Sequence, residues 1–326
     1  MRKITYKQAI NEALDEELNR DPMVFIMGED VGEHWGGPFG EFQGLFKKYG
    51  PVRIKDTPIS ETAILGSAIG AAITGMRPVA QIMFADFLGV PMDEILNQLT
   101  KIRYMFGGKA KLPVTITSYT GAGYSFAAQH SKCLEGLLMS IPGLKIVSPS
   151  TPYDAKGLLK SAIRDDNPVI YFQRTALMLS SLTFDVPENE YTIPLGKADV
   201  KREGSDVTVV AIGAMVSRAL NAAEMLKEKG ISIEVIDPRT LVPLDKQAII
   251  DSVKKTNRIV IMDEEPKTGS AASEIAAMVA DEAFEYLDAP IKRVCAPDTP
   301  IPYSSVLEKF WMPDEENLIE AIHKIV

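Results

Sequence analysis

Two residues in this sequence are well placed to move protons, Glu61 and His130. Glu61 ends the segment DTPISE (56–61), and the next acid downstream is Asp86. Between them runs a stretch of Ala, Gly, Ile and Leu broken by single polar residues and by Arg77. Gly66, Ala68, Gly70, Ala71 and Ala72 would let a helix there pack close to another backbone, with Ser60 and Glu61 at its start. A carboxylate at the mouth of an apolar element is partly desolvated, which raises its pKa and suits it to exchanging a proton. The same position also suits a carboxylate that only complements the helix dipole. His130 closes the segment SYTGAGYSFAAQHS (118–131), where Gly121 and Gly123 allow a tight loop after a strand. A histidine on such a loop can transfer a proton near neutral pH, although a packed or helix-capping histidine reads equally well. His34, in GEHWGGPFG (32–40), fits a surface loop better than a mobile active-site loop, and His323 fits a solvated helix face.

These residues need elements to hold them. A helix over about 6–19 leads into a strand at 24–28. The helix after Glu61 precedes a strand at 77–84, and Ile95, Leu99 and Ile102 suggest a helix over about 90–105. Strands follow at 113–118, 144–148 and 168–172, with helices near 132–140 and 151–163. The period lapses over 175–195, and 181–195 reads as a linker. Alternation resumes with strands at 207–213, 231–237, 258–264 and 290–296, and helices near 215–229, 245–255, 269–286 and 314–325. Such βα alternation predicts an α/β fold of two parallel-sheet domains with flanking helices, over 1–180 and 196–326.

Composition narrows the classes. A chain of 326 residues is long enough for two domains, each with its own core. The net charge is −9 and no basic stripe occurs, which argues against nucleic acid as a partner. No apolar run approaches a membrane span, and the acidic amphipathic start is not a targeting segment. Cys133 and Cys295 stand apart and read as small core residues in a reducing, cytoplasmic compartment. The strand–turn–helix VTVVAIGAMVSRAL has one glycine at its turn where a dinucleotide fingerprint needs a series, so nicotinamide chemistry there is disfavoured. G-x-x-x-x-G-K-[ST], H-E-x-x-H and G-x-S-x-G are absent.

Taken together, GEDVG (28–32), DTPISE (56–61), RPVAQIMFADF (77–87), RYMFGGKA (103–110), AAQHS (127–131), IDPRTLVPLD (236–245) and LDAPIKRVCAPDTPIPY (287–303) carry a family resemblance. The chain resembles, over essentially its whole length, the beta subunits of the thiamine-diphosphate-dependent decarboxylating component of 2-oxo-acid dehydrogenase complexes. The resemblance implies a transketolase-like arrangement: a pyrimidine-binding domain followed by a carboxy-terminal domain. It implies that Glu61 contacts a pyrimidine nitrogen of the cofactor, promoting the imino tautomer that deprotonates the thiazolium carbon. Phe87 matches a position where an aromatic ring packs on the pyrimidine; some relatives carry Tyr, so a hydroxyl contact is missing here. His130 matches the histidine that handles acyl transfer to a lipoyl group.

The family's magnesium–diphosphate motif, GDG followed by Asn, does not occur in this chain. The resemblance therefore implies an alpha subunit that supplies the magnesium ligands, an α2β2 heterotetramer with a beta–beta contact, and a lipoyl acyltransferase core as further partner. In some relatives a potassium ion is held by the equivalents of Val114, Ala162, Ile163, Asp165 and Asn167; residues 165–168 also read as a turn after a helix. Pyruvate, branched-chain 2-oxo acids and acetoin fit the same chemistry, and YMFGGKA and SYTGAGYSFAAQHS are somewhat more similar to acetoin dehydrogenases. A self-sufficient transketolase-like enzyme and a non-catalytic scaffold are the alternatives. The missing diphosphate motif speaks against the first, and Glu61, Phe87 and His130 together against the second.

Overall fold

The segment VFIMG offers no polar side chain to water on either face, so it must be covered on both, as a central strand of a parallel sheet is. In the computed structural model, which describes residues 1–326, it is entirely buried. The chain divides into two units, residues 1–120 with 141–195 and residues 121–140 with 196–326. The first contains β1 (Arg2–Thr5), β2 (Val24–Gly28), β3 (Ile54–Asp56), β4 (Arg77–Ile82), β5 (Thr115–Thr120), β6 (Lys145–Val147), β7 (Val169–Arg174) and β8 (Thr183–Val186). Its main sheet runs β6-β7-β5-β4-β2-β3, every neighbouring pair parallel.

Two helices share a core with this sheet. Tyr6–Arg20 begins at Thr5, whose side chain and that of Gln8 close a capping box. It contributes Ala9, Ile10, Ala13, Leu14 and Leu18. Pro152–Arg164 contributes Ala155, Leu158, Leu159, Ala162 and Ile163, all packed with Val24, Ile26, Val79 and Val169. The seam between the helices is ionic: Lys156 reaches Glu16 at 2.6 Å, Lys160 reaches Glu16 at 2.6 Å, and Arg164 reaches Glu17 at 2.6 Å. Lys156 and Lys160 are fully buried, which only such pairing makes tolerable.

The second unit contains β9 (Asp199–Arg202), β10 (Val207–Ala211), β11 (Ile233–Asp237), β12 (Thr240–Val242), β13 (Ile259–Pro266) and β14 (Lys292–Ala296). Its main sheet runs β14-β13-β10-β11-β9, parallel except for β9 against β11. No helix is long and apolar enough to cross a membrane.

Four expectations need correction. The stretch 181–195 is not a free linker: β8 pairs antiparallel with β1, and Ile193 joins the first core. The loop 121–140 lies in the sequence of the first domain but belongs to the second unit. The helix expected over 90–105 is a π-helical turn, Glu94–Leu99, followed by the short helix Ile102–Met105. There the Thr100 hydroxyl donates to the carbonyls of Ile95 and Leu96 at 3.1 and 3.0 Å, competing with the regular helix ladder. Finally, the small residues of helix Glu61–Ile73 divide between two faces, and only Ala68 and Ala72 among them pack within the chain on its buried side. Gly66 and Gly70 are exposed with open space around them, and Ile64, Leu65, Ala68, Ile69 and Ala72 form the buried face.

Candidate active site

Strands β3, β2 and β4 lie side by side, and Gly28 at the end of β2 pairs with both Asp56 and Gln81. The carboxyl ends of three adjacent parallel strands therefore open at one edge, the place where parallel α/β sheets bind ligands. Glu29 follows β2 directly. The segment after β3 carries Glu61, the first residue of helix Glu61–Ile73, and the turn after β4 carries Phe87. Both Glu61 and Phe87 are half-buried. Ser60 occupies the N-cap position but its side chain makes no capping bond, so the helix start is not closed off by its own sequence.

The surroundings are tied down by short links. Asp56 accepts the Gly32 N–H at 2.7 Å, joining the DTPISE segment to the loop after β2. Thr62 Oγ1 donates to the Val90 carbonyl at 3.5 Å, joining the helix start to the turn that holds Phe87. Phe84, which opens that turn, adopts φ +61°, a strained value for a bulky residue. It sits in an aromatic group with Phe39 and Tyr119, whose ring centroids are 4.7 Å apart. Burial first, then the charges of Glu61 and Asp30, push the Glu29 carboxyl above its ordinary range. Glu29 is the residue that sequence reading missed. Its signal was an acid placed immediately after a wholly buried strand.

His130 is half-buried in the loop of the second unit. This loop is fastened by carboxylates. Glu264 accepts the Ala122 N–H at 2.5 Å, and Glu308 accepts those of Gly123 and Ser125, both at 2.9 Å. Glu265 accepts from Gly136 at 2.9 Å and from Ala271 at 2.7 Å. Burial and the nearby charges of Asp263 and Glu135 push the Glu265 carboxyl well above its ordinary range. A cavity of about 790 Å³ lies within this unit beside the loop, bordered by Gln129, Lys132, Cys133, Ile301 and Trp311. His34 and His323 are exposed, in keeping with surface positions. Neither cysteine forms a disulfide, and burial pushes the Cys295 thiol up to about 12, so it is an unreactive group.

Val114, Ala162, Ile163, Asp165 and Asn167 come together at the ends of β5, the helix Pro152–Arg164 and β7. Two cationic side chains already serve this cluster. Lys145 pairs with the Asp165 carboxylate, and Arg77 donates to the carbonyls of Ile163 at 3.2 Å and Arg164 at 2.6 Å. Asn167 directs its N–H groups, not its oxygen, at Asp165, at 2.8 and 2.9 Å. Burial alone would raise the Asp165 carboxyl, but Lys145 and Asn167 outweigh it and hold it below its ordinary range. This donor set does not fit a potassium ion, because its negative charge and one of its carbonyls are spent on protein cations.

Comparison with known proteins agrees with this architecture. Residues 2–178 match the transketolase pyrimidine binding domain and residues 196–318 the transketolase C-terminal domain. The acetoin:2,6-dichlorophenolindophenol oxidoreductase subunit beta of Bacillus subtilis is 50% identical, covering 98% of this chain and 96% of its own. Its namesake from Cupriavidus necator is 49% identical over 99% and 97%. The 2-oxoisovalerate dehydrogenase subunit beta of Bacillus subtilis is 45% identical over 100% and 99%. Among solved structures, a split-gene transketolase described as an inactive beta4 tetramer aligns with a TM-score of 0.80 at 25% identity, covering 99% of this chain and 98% of that one.

Proposed function

The chain belongs to the family of transketolase-like beta subunits of 2-oxo-acid and acetoin dehydrogenases, and on that premise we propose that it forms, with an alpha subunit, a thiamine-diphosphate-dependent enzyme that cleaves acetoin. The observation that carries this reading is the convergence of Glu61, Glu29 and Phe87 on the carboxyl ends of β3, β2 and β4. A half-buried carboxyl, a second carboxyl of raised proton affinity and an aromatic ring suit a flat, protonatable heteroaromatic ring. When bound, thiamine diphosphate supplies a thiazolium carbon that can act as a nucleophile toward a carbonyl.

Glu61 then shares a proton with a pyrimidine nitrogen. It stands half-buried at the first position of helix Glu61–Ile73, in the segment that follows β3. Burial first, then the neighbouring Glu61 charge, hold the Glu29 carboxyl above its ordinary range beside the ring site. Phe87 packs on the ring and excludes water. His130 moves a proton at the acyl group as it passes to a lipoyl acceptor. The magnesium and diphosphate ligands belong to the alpha subunit, in an α2β2 assembly. The exposed face of Gly66 and Gly70 is the close-packing surface for the beta–beta contact. The acidic stretch 281–288, with Phe284 72% exposed, is the docking surface for an acyltransferase core.

Acetoin is favoured over branched-chain 2-oxo acids because two acetoin-enzyme relatives stand at 50% and 49% identity, against 45% for the 2-oxoisovalerate enzyme. Co-expression with the cognate alpha subunit, followed by dichlorophenolindophenol reduction with acetoin, pyruvate and 2-oxoisovalerate, tests the proposal. Acetoin should be turned over at least about tenfold more efficiently than either 2-oxo acid, as a difference of about 1.4 kcal/mol in transition-state binding would give. Equal or greater efficiency with pyruvate would overturn the substrate, and cofactor binding by the isolated beta chain would overturn the shared site.

A further inference from the structure

The loop that carries His130 is built on backbone that L-residues avoid. Gly121, Gly123, Ser125 and Ala127 have φ of +96°, +111°, +57° and +61°. For Ser125 and Ala127 this left-handed conformation is unfavourable and persists only where the surroundings impose it. Alternating conformations of this kind turn successive backbone N–H groups to the same side, forming a concavity that suits an anion.

Here the anion is one of the protein's own side chains. Glu308 Oε1 accepts from Gly123 and Oε2 from Ser125, each at 2.9 Å, and Glu308 is only 2% exposed. It projects from helix Ser305–Trp311, and Trp311 and Met312 pack in one apolar cluster with Ala122 of the loop. Glu264 takes the preceding N–H, that of Ala122. A β-carbon on Gly121 would meet the Glu264 carboxylate at 2.9 Å, so the loop lies as close to these acids as its backbone permits.

We infer that Glu308 is a positioning residue: its carboxylate is the built-in guest around which backbone 121–127 folds, and it thereby fixes the stem from which His130 acts. This rests on the reading of His130 given above. Charge is essential to the arrangement, because a carboxylate can accept from both N–H groups at once while an amide of the same shape presents one acceptor and one donor.

The test uses the assembled complex with wild type, Glu308→Gln and His130→Ala in parallel. In Glu308→Gln, amide hydrogen exchange at Ala122–Ser125 should accelerate at least about tenfold, as loss of a buried charged acceptor predicts. Acyl transfer to a lipoyl domain should slow by about the same factor in kcat, with KM for acetoin unchanged. Glu308→Ala should regain both protection and turnover when formate is added and not when chloride is added at equal ionic strength, which also serves if the Gln variant folds poorly. Wild-type exchange in Glu308→Gln, or no distinction between formate and chloride, overturns the inference. Normal acyl transfer in Glu308→Gln alongside a defect in His130→Ala also overturns it and leaves the His130 reading standing. Normal acyl transfer in His130→Ala removes that reading alone, and the exchange data still decide the role of Glu308.

Discussion

The edge formed by β3, β2 and β4 and the loop 121–133 both depend on carboxylates, and they use them in opposite ways. At the strand edge, Glu61 begins a helix whose cap is left open, and Glu29 is held near another acid with its proton affinity raised. Those acids are kept available. In the loop, Glu264 and Glu308 are spent on backbone N–H groups, and so is Glu265 behind it. The ladder of a regular sheet satisfies its own N–H groups, so an acid that follows a strand end is not required for that task. An irregular loop has no ladder to satisfy its N–H groups, and acids must do so instead.

The comparison breaks if the strand-edge acids prove dispensable. Glu61→Gln should fold normally and lose about a hundredfold or more in proton exchange at the thiazolium carbon of the assembled complex, the scale of a lost acid–base group. Exchange at the wild-type rate removes Glu61 from the chemistry.

A third kind of acid sharpens it. Glu41 is wholly buried beside the glycine-rich loop after β2, and burial raises its carboxyl to about 8, with the Phe39 and Glu41 backbone and Lys7 offsetting only part. Its folded pKa lies above the unfolded one. Its stability contribution is therefore full below the ordinary carboxyl range, near 4.5, and is lost as pH rises toward about 8. Glu41→Gln should accordingly gain on wild type through that window, reaching about 2 kcal/mol or more above it, measured by denaturant unfolding at several pH values. A difference that stays flat with pH means that Glu41 is ionised in the fold.

Gly136→Ala probes how tightly the loop's far end is seated. A β-carbon there would lie 2.2 Å from the Gly269 carbonyl, and neither backbone can yield easily. The substitution should cost about 1–3 kcal/mol in thermal or chemical unfolding. The smallest expected effect is none: potassium in place of sodium should leave the unfolding temperature unchanged, because Lys145 and Arg77 already satisfy the Asp165 cluster. A potassium-specific rise would show that Lys145 moves aside for the ion.

Much of this was legible in the chain. Runs such as VFIMG and VTVVA, apolar but for Thr208, read as buried parallel strands, and the second unit's main segment starts at Gly196, where the lapse in period ends. Glu61, Phe87 and His130 were singled out through family segments, while position alone left Glu61 and His130 each with a structural alternative. The allegiance of loop 121–140 was not legible, since its partners Glu264 and Glu308 stand 142 and 183–185 residues away and no local pattern announces such a bond. The short strands β8 and β9 escaped because mixed polar segments at sheet edges lack a clear period. The cations at the Asp165 cluster were hidden for a related reason: Arg77 and Lys145 are remote in sequence from Asp165 and close to it in space.

The distance between Gly123 and Glu308 has a consequence in time as well as space. A ribosome delivers the chain from its amino end, and all the strands of the first sheet, through β7 at Arg174, are made well before Glu308. The strand-edge acids can therefore reach their places while synthesis is still under way. The histidine loop cannot, because Glu308, the carboxylate it folds around, lies far beyond Arg174 in the sequence. A chain that stops short of Glu308 would keep a formed first sheet and lose an ordered loop. Synthesis of helix Ser305–Trp311 is thus the event that lets the loop take its final backbone.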